Sequence, residues 1–254
     1  MIAAKPLVTI ITVCRNNATT IANTMQSVAM QTYTNVEYIV IDGLSTDDTL
    51  SIVTAHATPT TRIVSEADKG MYDAINKGLA LASGEIIGLL HADDFYTNAN
   101  ILQNVVESMQ ANNANLLYAN LLYVNATNTD KVVRNWQSGT YSPNAFKWGW
   151  MPPHPTFFVR KTVYEQYGNF RLDMQSAADY ELMLRFVHKH QLSINYLPQA
   201  IIKMRVGGMS NASLSNRLIA NKADRKAWVV NNLTPYWFTL YVKPLRKLLQ
   251  YFIK

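Results

Sequence analysis

The sequence predicts an α/β fold, in which a mostly parallel, Rossmann-like sheet carries helices on both of its faces. Two observations support this prediction. Strand-like and helix-like patterns alternate over the first hundred of the 254 residues, and this alternation is typical of βαβ units. The composition is that of a globular protein, with 48% hydrophobic and 16% charged residues. A chain of this length can bury a large core.

Four strands separated by helices make up the first half of the prediction. Each strand is a short apolar or β-branched run, and each helix shows apolar residues three or four positions apart. We expect Ser45 and Thr46 to cap the helix that follows the second strand. The strands are predicted at residues 7–13, 36–41, 62–65 and 85–90, and the helices near residues 21–28, 71–82 and 98–111.

The second half of the chain is less regular. Residues 116–124 and 131–134 are expected to pair as strands across a polar turn. A loop rich in proline and tryptophan follows. Beyond it, the pattern predicts a strand at 156–159 and helices near 161–167 and 177–190.

The positive charge is concentrated in the tail. The net charge is +6, but residues 1–202 alone carry −3, whereas residues 203–254 carry +9 and contain Asp224 as their one acid. Such a tail suits a polyanion, either nucleic acid or an acidic membrane surface. The single Cys14 excludes a disulfide framework and is expected to be a packed thiol in a reducing cytosol. The N-terminus shows no cleavable signal pattern.

Unusual polar residues lie where each predicted strand ends. Ten of the 17 acids fall between Glu37 and Asp94. In parallel sheets, ligands bind beyond the carboxyl ends of the strands. Four polar clusters at one edge therefore predict a nucleotide site. The clusters are residues 14–17, 42–45, 66–70 and 91–94.

The last of these clusters, His91-Ala92-Asp93-Asp94, is the most informative. Two adjacent carboxylates are costly to bury, because each raises the pKa of the other. A divalent cation would relieve this repulsion, since Mg²⁺ and Mn²⁺ prefer oxygen ligands. The alternative is a solvated turn in which Asp94 caps the next helix. Taken alone, the four residues do not decide between the two.

Several segments resemble, in their order and spacing, the inverting glycosyltransferases of family 2, which have the GT-A fold. The matching segments are Thr9–Asn16, Ile41–Thr49, Asp68–Gly78, Ala82–Glu85, His91–Asp94 and Ala178–Leu182. The resemblance implies a nucleotide-sugar-binding half at residues 1–112 and an acceptor-binding and catalytic half at 113–206. A closing loop and a basic amphipathic helical tail would then occupy residues 207–254.

The resemblance also implies roles for particular residues. Asp42 would bind the nucleotide base, Lys69 the diphosphate, and His91, standing where the family usually has an acid, the ribose. Asp93 would hold Mn²⁺ or Mg²⁺, with Asp94 as a second candidate ligand. The full set of implied nucleotide-binding residues is Thr12, Cys14, Arg15, Asn16, Asp42, Ser45, Lys69, Asp73, Asn76, His91, Ala92 and Asp93.

Asp179 is the implied catalytic base. Its position at the start of a predicted helix also fits an acid favoured by the helix dipole. The family has a Glu-Asp pair at this place, and here Ala178 replaces the Glu. The base would remove the proton of an acceptor hydroxyl as that oxygen attacks the anomeric carbon, with inversion. His154, Trp150, Glu181 and Arg205 are expected near the donor or acceptor sugar, and residues 204–210 form a loop expected to close over the diphosphate.

The tail after Pro235 is too charged to span a bilayer and is expected to be broken by Pro244. Its aromatic and leucine residues fall on one helical face, which suits an anionic membrane surface. Packing onto the core or a partner is the alternative. The apolar face comprises Trp237, Tyr241, Leu245, Leu248, Leu249 and Phe252.

The sequence therefore predicts a metal-dependent glycosyltransferase that uses a nucleotide sugar, UDP-linked, and a glycan or polyprenyl-linked saccharide acceptor. We expect it in the cytoplasm, peripheral on the inner face of the cell membrane, without a nucleic-acid partner. One alternative is a sugar nucleotidyltransferase, although residues 14–17 lack the glycine its nucleotide loop needs. The other alternative is a non-catalytic, membrane-associated nucleotide-binding protein.

Overall fold

The computed structural model describes residues 5–207 and 214–249, without the side chains of 214–220 and 247–249. Nine strands in these residues form one sheet, in the order β3-β2-β1-β4-β8-β6-β9-β5, with β7 paired to β6. The strands are β1 Val8–Cys14, β2 Val36–Asp42, β3 Thr61–Ser65, β4 Ile86–Leu89, β5 Asp94–Tyr96, β6 Leu116–Val124, β7 Val132–Trp136, β8 Phe158–Arg160 and β9 Ile194–Arg205.

Helices cover this sheet and extend beyond it into the tail. The sixth helix changes from α to π geometry over Leu184–Lys189. The α-helices are α1 Ile21–Ala29, α2 Thr49–Ala55, α3 Met71–Leu81, α4 Ile101–Ala111, α5 Lys161–Tyr167, α6 Ala178–Met183, α7 Leu214–Val230 and α8 Thr239–Leu249.

The first four strands run parallel, as predicted. β1 pairs with β2 and with β4, and β2 pairs with β3, all in parallel register. In this register Cys14 lies opposite Asp42, and Asp42 lies opposite Ser65. The polar residues at the ends of these strands therefore share one edge of the sheet.

Both faces of the sheet are buried, which confirms helices on both sides. Successive residues of a strand point to opposite faces, and Ile10 and Ile11 accordingly belong to different core clusters. Ile11 packs with α3 and α6 on one face, whereas Ile10 packs with α1 and α4 on the other. Gly78 lets α3 approach closely, because a Cβ there would lie 2.5 Å from Cγ2 of Ile11.

Two local predictions and one alternative were wrong. Ser45 and Thr46 do not cap a helix: α2 begins at Thr49, whose backbone amide donates to Oδ1 of Asp47 at 3.0 Å. Asp94 does not cap the following helix either, because it opens β5 and pairs with Met204 of β9. Finally, Pro244 does not break the tail, since α8 continues through it.

The C-terminal helices pack against α6. The indole Nε1 of Trp228 donates to the hydroxyl of Tyr180 at 2.9 Å, and both side chains are buried. Nζ of Lys243 pairs with Oδ2 of Asp224 at 2.7 Å and lies 3.6 Å from the ring centroid of Tyr180. No helix within residues 5–207 and 214–249 has the length and apolar character needed to cross a membrane.

Candidate active site

Hydrogen bonds join the loops that follow β1 and β2. The backbone amide of Asn16 donates to Oγ of Ser45 at 2.9 Å, and the backbone amide of Thr46 donates to Oδ1 of Asn16 at 2.8 Å. Asn16 has a φ of 57°, a conformation that asparagine adopts more readily than most residues. The two loops thus form one continuous wall at the sheet edge.

Asp42 lies behind this wall and is fully buried. Its Oδ2 accepts from Oγ of Ser65 at 2.7 Å and from the backbone amide of Ser45 at 3.1 Å, and its Oδ1 accepts from Oγ of Ser45. Thr12 is also fully buried, and its Oγ1 accepts from the hydroxyl of Tyr38 at 3.0 Å. Because Asp42 and Thr12 are buried, they affect the sheet edge through the residues that they bond to.

Cys14 is a packed thiol, as predicted. It is buried, and its Sγ donates to Oδ1 of Asp42 at 3.8 Å. Burial, followed by the charge of Asp42, raises the pKa of this thiol to about 12. Cys14 therefore stays protonated at neutral pH and is not a nucleophile.

Gly43 lies against the side chains of Arg15 and Asp68. A Cβ on Gly43 would lie 2.2 Å from Oδ2 of Asp68 and 3.5 Å from Cδ of Arg15. Arg15 is exposed and Asp68 is half-buried. The carboxylate of Asp68 therefore packs against Gly43 at a distance that any side chain at this position would prevent.

Two acids accept hydrogen bonds from the backbone amides just before α3. The backbone amide of Lys69 donates to Oδ2 of Asp73 at 2.9 Å, and that of Gly70 donates to Oδ1 of Asp68 at 2.7 Å. The side chain of Lys69 is exposed. Two of the amides that would attract a phosphate are therefore already bonded within the segment.

Asn76, one turn further along α3, is bonded to the chain 94 residues away. Its Nδ2 donates to the carbonyl of Phe170 at 2.9 Å, and its Oδ1 accepts from the backbone amide of Phe170 at 3.1 Å. Both ends of the amide side chain are used, and the contact fixes the segment that precedes Asp179.

The turn from His91 to Asp94 is held from both sides. Oγ1 of Thr24 donates to the carbonyls of Ala92 and Asp94, at 3.0 and 2.7 Å. Nη1 of Arg205 donates to the carbonyl of Asp93 at 2.6 Å, and its Nη2 donates to Oδ1 of Asn23 at 2.9 Å. Arg205, which was expected near a sugar, thus supports the backbone of the acidic turn.

The two acids of this turn differ in exposure. Asp93 is half-buried, whereas Asp94 is 1% exposed. Neither carboxylate oxygen of Asp94 has a hydrogen-bond partner within the described part of the chain. Burial and the neighbouring Asp93 raise the pKa of Asp94 well above its usual range, although Arg205 opposes this shift. Asp94 shares its side of β5 with Tyr96, which faces the core.

These residues fit a divalent cation that takes few ligands from the protein. No three His, Cys, Asp or Glu side chains converge on one point among residues 5–207 and 214–249. Mg²⁺ commonly binds one or two carboxylates and completes its shell with substrate phosphates and water. Asp93 offers a partly exposed carboxylate for this purpose, and the carboxyl group of Asp94 is buried next to it.

Asp179 belongs to the same region of the molecule as this acidic turn. The charges of Asp93 and Asp179 both act on His91, whose pKa is nevertheless lowered, because burial is the larger effect. The His91 and His154 rings lie 6.0 Å apart between centroids. Burial, followed by the neighbouring His91, lowers the pKa of His154 to about 3, so that both imidazoles are neutral at pH 7.

An aromatic side chain that the sequence analysis missed contacts Asp179. The hydroxyl of Tyr72 hydrogen-bonds to Asp179, and burial together with the charge of Asp179 raises the pKa of Tyr72. The Tyr72 ring stacks on Phe170 at 5.4 Å, and Phe170 lies 5.5 Å from the ring of His154. The spacing of Tyr72 and Asn76, four positions apart on one helix face, was the signal that could have identified this contact.

Two residues expected near a sugar lie elsewhere. Trp150 is buried, and its Nε1 donates to the carbonyl of Ser138 at 2.9 Å. Glu181 is 1% exposed, and its Oε1 accepts from Nε of Arg185 at 3.0 Å. Both side chains are therefore packed within residues 113–206. Of the predicted closing loop, residues 208–210 lie outside the described residues.

The sheet order and the polar loops at the ends of β1, β2 and β4 agree with the GT-A fold. Residues 9–168 match the family model described as "Glycosyl transferase family 2". The chain belongs to that family, and the protein is a glycosyltransferase. Among curated proteins, it is 26% identical over 221 residues to a "PGL/p-HBAD biosynthesis glycosyltransferase" of Mycobacterium bovis, covering 85% of this chain and 84% of that protein.

Solved structures share the same fold. TarS of S. aureus in complex with UDP-GlcNAc aligns with a TM-score of 0.68 and 17% identity, over 93% of this chain and 69% of that chain. The mannosyltransferase PcManGT of Pyrobaculum calidifontis, in complex with GDP-Man and Mn²⁺, aligns with a TM-score of 0.68 and 19% identity, over 95% and 70%.

Proposed function

We propose that this glycosyltransferase moves a sugar from a nucleotide sugar, UDP-linked, to a hydroxyl of a glycan or polyprenyl-linked saccharide, with inversion and with Asp179 as the general base. One observation carries the proposal. The folded chain brings Asp179 and Asp93, 86 positions apart in the sequence, close enough for both charges to act on His91. A base and a metal-binding carboxylate are the two groups that this reaction needs.

The donor would bind along the edge formed by the ends of β1 to β4. We place the nucleotide base at the ends of β1 and β2, beside Arg15, Gly43 and Asp68. Asp42 would act there by holding Ser45 and Ser65 at this edge of the sheet. The exposed ammonium of Lys69 suits the diphosphate. The UDP-GlcNAc bound to TarS and the GDP-Man bound to PcManGT support a nucleotide-sugar donor.

Asp93 would hold the divalent cation, with Asp94 as its second candidate ligand. The Mn²⁺ bound to PcManGT supports this assignment. When bound, the cation would stabilise the negative charge that the departing diphosphate acquires. Arg205 keeps Asp93 in position through its backbone carbonyl.

Asp179 would take the proton of the acceptor hydroxyl as that oxygen attacks the anomeric carbon. The new bond forms on the face opposite the diphosphate, whose bond to the sugar breaks, so the configuration inverts. A transition state of oxocarbenium character is expected. Tyr72 orients the carboxylate of Asp179, and the neutral rings of His91 and His154 line the site without competing for the proton.

We place this reaction at the cytoplasmic face of the cell membrane, where the basic tail would meet anionic lipid and the acceptor would be lipid-linked. The family match favours glycosyl transfer over the two alternatives, a sugar nucleotidyltransferase and a non-catalytic nucleotide-binding protein.

The test combines a donor screen with a matched pair of variants. Nucleotide release is measured with Mn²⁺ and a panel of UDP-, GDP- and dTDP-sugars, and the best donor is then used for Asp179→Asn and Asp173→Asn. Loss of a general base lowers turnover by roughly 10²–10⁴-fold, so we expect Asp179→Asn to lose transfer while still binding donor.

Asp173→Asn is the control, because Asp173 is exposed and pairs with Arg171 and Lys226 on the surface. It should keep transfer within about twofold, as surface pairs contribute little. Full transfer by Asp179→Asn would show that Asp179 is not the base.

A further inference from the structure

An exposed aromatic surface lies on the C-terminal side of the molecule. Two separate segments build it, the turn that contains Trp148 and the chain from Tyr236 through α8. We define the aromatic patch as Trp148, Tyr236, Trp237, Phe238, Tyr241 and Leu245. Five of its members are exposed by 42% or more: Trp237 by 81%, Tyr241 by 62%, Leu245 by 57%, Trp148 by 55% and Tyr236 by 42%.

The members of the patch are continuous. The ring of Trp148 lies 5.0 Å from that of Phe238 and 6.1 Å from that of Tyr236. The ring of Trp237 lies 5.6 Å from that of Phe238. Trp237, Tyr241 and Leu245 are four positions apart, so they share one face of the tail. Such a contiguous apolar surface marks an interaction site.

The patch rests on a fixed base, because the opposite side of α8 is packed. Leu240 and Thr239 are buried, and Oγ1 of Thr239 donates to the carbonyl of Lys147 at 2.6 Å. Gly149 lies against the backbone of Lys243, where a Cβ would approach the Lys243 nitrogen to 2.6 Å. The two alternatives for the tail are thus compatible, since one side packs on the core while the aromatic side is exposed.

Basic residues border the patch. Nζ of Lys147 lies 5.4 Å from the ring centroid of Tyr236, and the exposed Arg246 follows Leu245. Asp224, the one acid among residues 203–254, is paired with Lys243. Lys147 and Arg246 therefore place cations beside the patch. The described side chains of residues 203–207 and 221–246 include no unpaired carboxylate.

We infer that the aromatic patch binds the surface of an anionic phospholipid bilayer. Tryptophan and tyrosine are enriched at the membrane–water interface, where their rings meet the headgroups. Apolar area and flanking cations together determine the strength of such interfacial binding. Self-association through the patch is disfavoured, because a symmetric contact would bring two basic borders together.

This inference deepens the proposed function and rests on it for the nature of the acceptor. Trp148 in the patch and His154 in the candidate active site are six residues apart, which limits their Cα separation to about 20 Å. A saccharide on a lipid carrier that extends from a bilayer bound at Trp148 would therefore have to span no more than about this distance to reach His154.

The test is co-sedimentation of the full chain with phosphatidylcholine vesicles that contain or lack phosphatidylglycerol. We expect binding to the anionic vesicles, weakened by added salt. Lys147→Gln and Arg246→Gln should each weaken binding about fivefold. The combination Trp148→Ser, Trp237→Ser and Tyr241→Ser should weaken it by about tenfold for each side chain removed.

Val132→Ser with Val133→Ser is the matched control, because these exposed apolar residues of β7 lie outside the patch. It should bind vesicles like the unchanged protein. Thermal unfolding and nucleotide release with a water-soluble acceptor are measured on every variant. Thermal unfolding excludes misfolding, and nucleotide release distinguishes an effect on vesicle binding from an effect on sugar transfer.

Unchanged vesicle binding by the triple aromatic variant would overturn the inference. The inference would also be overturned if the unaltered protein did not bind anionic vesicles, and if changes to the patch converted a dimer to a monomer. Either result with intact nucleotide release would leave the proposed function standing. Loss of nucleotide release with normal vesicle binding would count against the proposed function and leave the membrane inference standing.

Discussion

Glu181 and Arg185 form a buried ion pair that holds the segment leading to the candidate base. The carboxylate accepts from Nε of Arg185 at 3.0 Å and from Nη2 at 3.1 Å, and also from Nδ2 of Asn231 at 3.0 Å. The guanidinium in turn donates to the carbonyls of Gly168 at 3.0 Å and Asn169 at 2.8 Å. We predict that Glu181→Ala will destabilise the protein strongly.

The magnitude follows from burial. The Glu181 and Arg185 side chains are 1% and 11% exposed. Removing one partner of such a pair leaves an uncompensated buried charge and costs about 3–5 kcal/mol. For a chain of this size each kcal/mol lowers Tm by about 2–4 °C, so we expect a decrease of about 6–20 °C.

Urea unfolding followed by tryptophan fluorescence measures the effect, with Asp173→Ala as the control. The Arg171–Asp173 pair is exposed, at 43% and 50%, and its loss should cost no more than about 1 kcal/mol. A second variant, Glu181→Gln, keeps the shape of the side chain and tests a direct role at the sugar. A stable Glu181→Ala protein with impaired turnover would refute the structural role and support sugar binding.

Three further outcomes are expected. Tyr72→Phe keeps the stacked ring but removes the donor to Asp179, so the acidic limb of the pH–rate profile should move to higher pH; an unmoved limb would argue against the contact. His154 has a pKa of about 3 when folded, against an ordinary value of 6.5, so only the unfolded chain binds a proton between these values. The free energy of unfolding should therefore fall by about 1.4 kcal/mol per pH unit as the pH drops below 6.5, and His154→Phe should lose this component in urea titrations at pH 6.5 and 5. Removal of metal with EDTA should abolish turnover until Mn²⁺ is restored, and Asp93→Asn should need more Mn²⁺; turnover that is indifferent to EDTA would exclude metal assistance.

The sequence predicted the strands and helices whose patterns are local. β1, β2, β3 and β4 were found within about one residue of their predicted ends. β9 was missed because Pro198 interrupts it, and proline argues against a strand interior. The structure accommodates Pro198 in an irregularity, since Leu197 and Ala200 are the paired residues on either side of it. β5 has only three residues, too few to show a periodicity.

The side-chain partners at the site could not be predicted in the same way. The family resemblance implied that Asp73 and Asn76 bind the nucleotide. In the structure, Asp73 accepts a hydrogen bond from the backbone amide of Lys69, and Asn76 bonds to Phe170. A carboxylate or an amide near a helix start can bond either to a ligand or to the protein backbone. The choice depends on a segment 94 residues away, whose position only the folded chain determines.

The C-terminal tail is part of the frame that positions Asp179, the proposed base. Tyr180, the residue after Asp179, receives a hydrogen bond from Trp228 of α7 and the ammonium of Lys243 of α8 over its ring. Its backbone amide donates to Oδ1 of Asp179 at 2.7 Å. α8 therefore contacts the neighbour of Asp179 with one face while the aromatic patch occupies the other. Because the same helix carries both contacts, a bilayer held at the patch would have a defined orientation relative to Asp179.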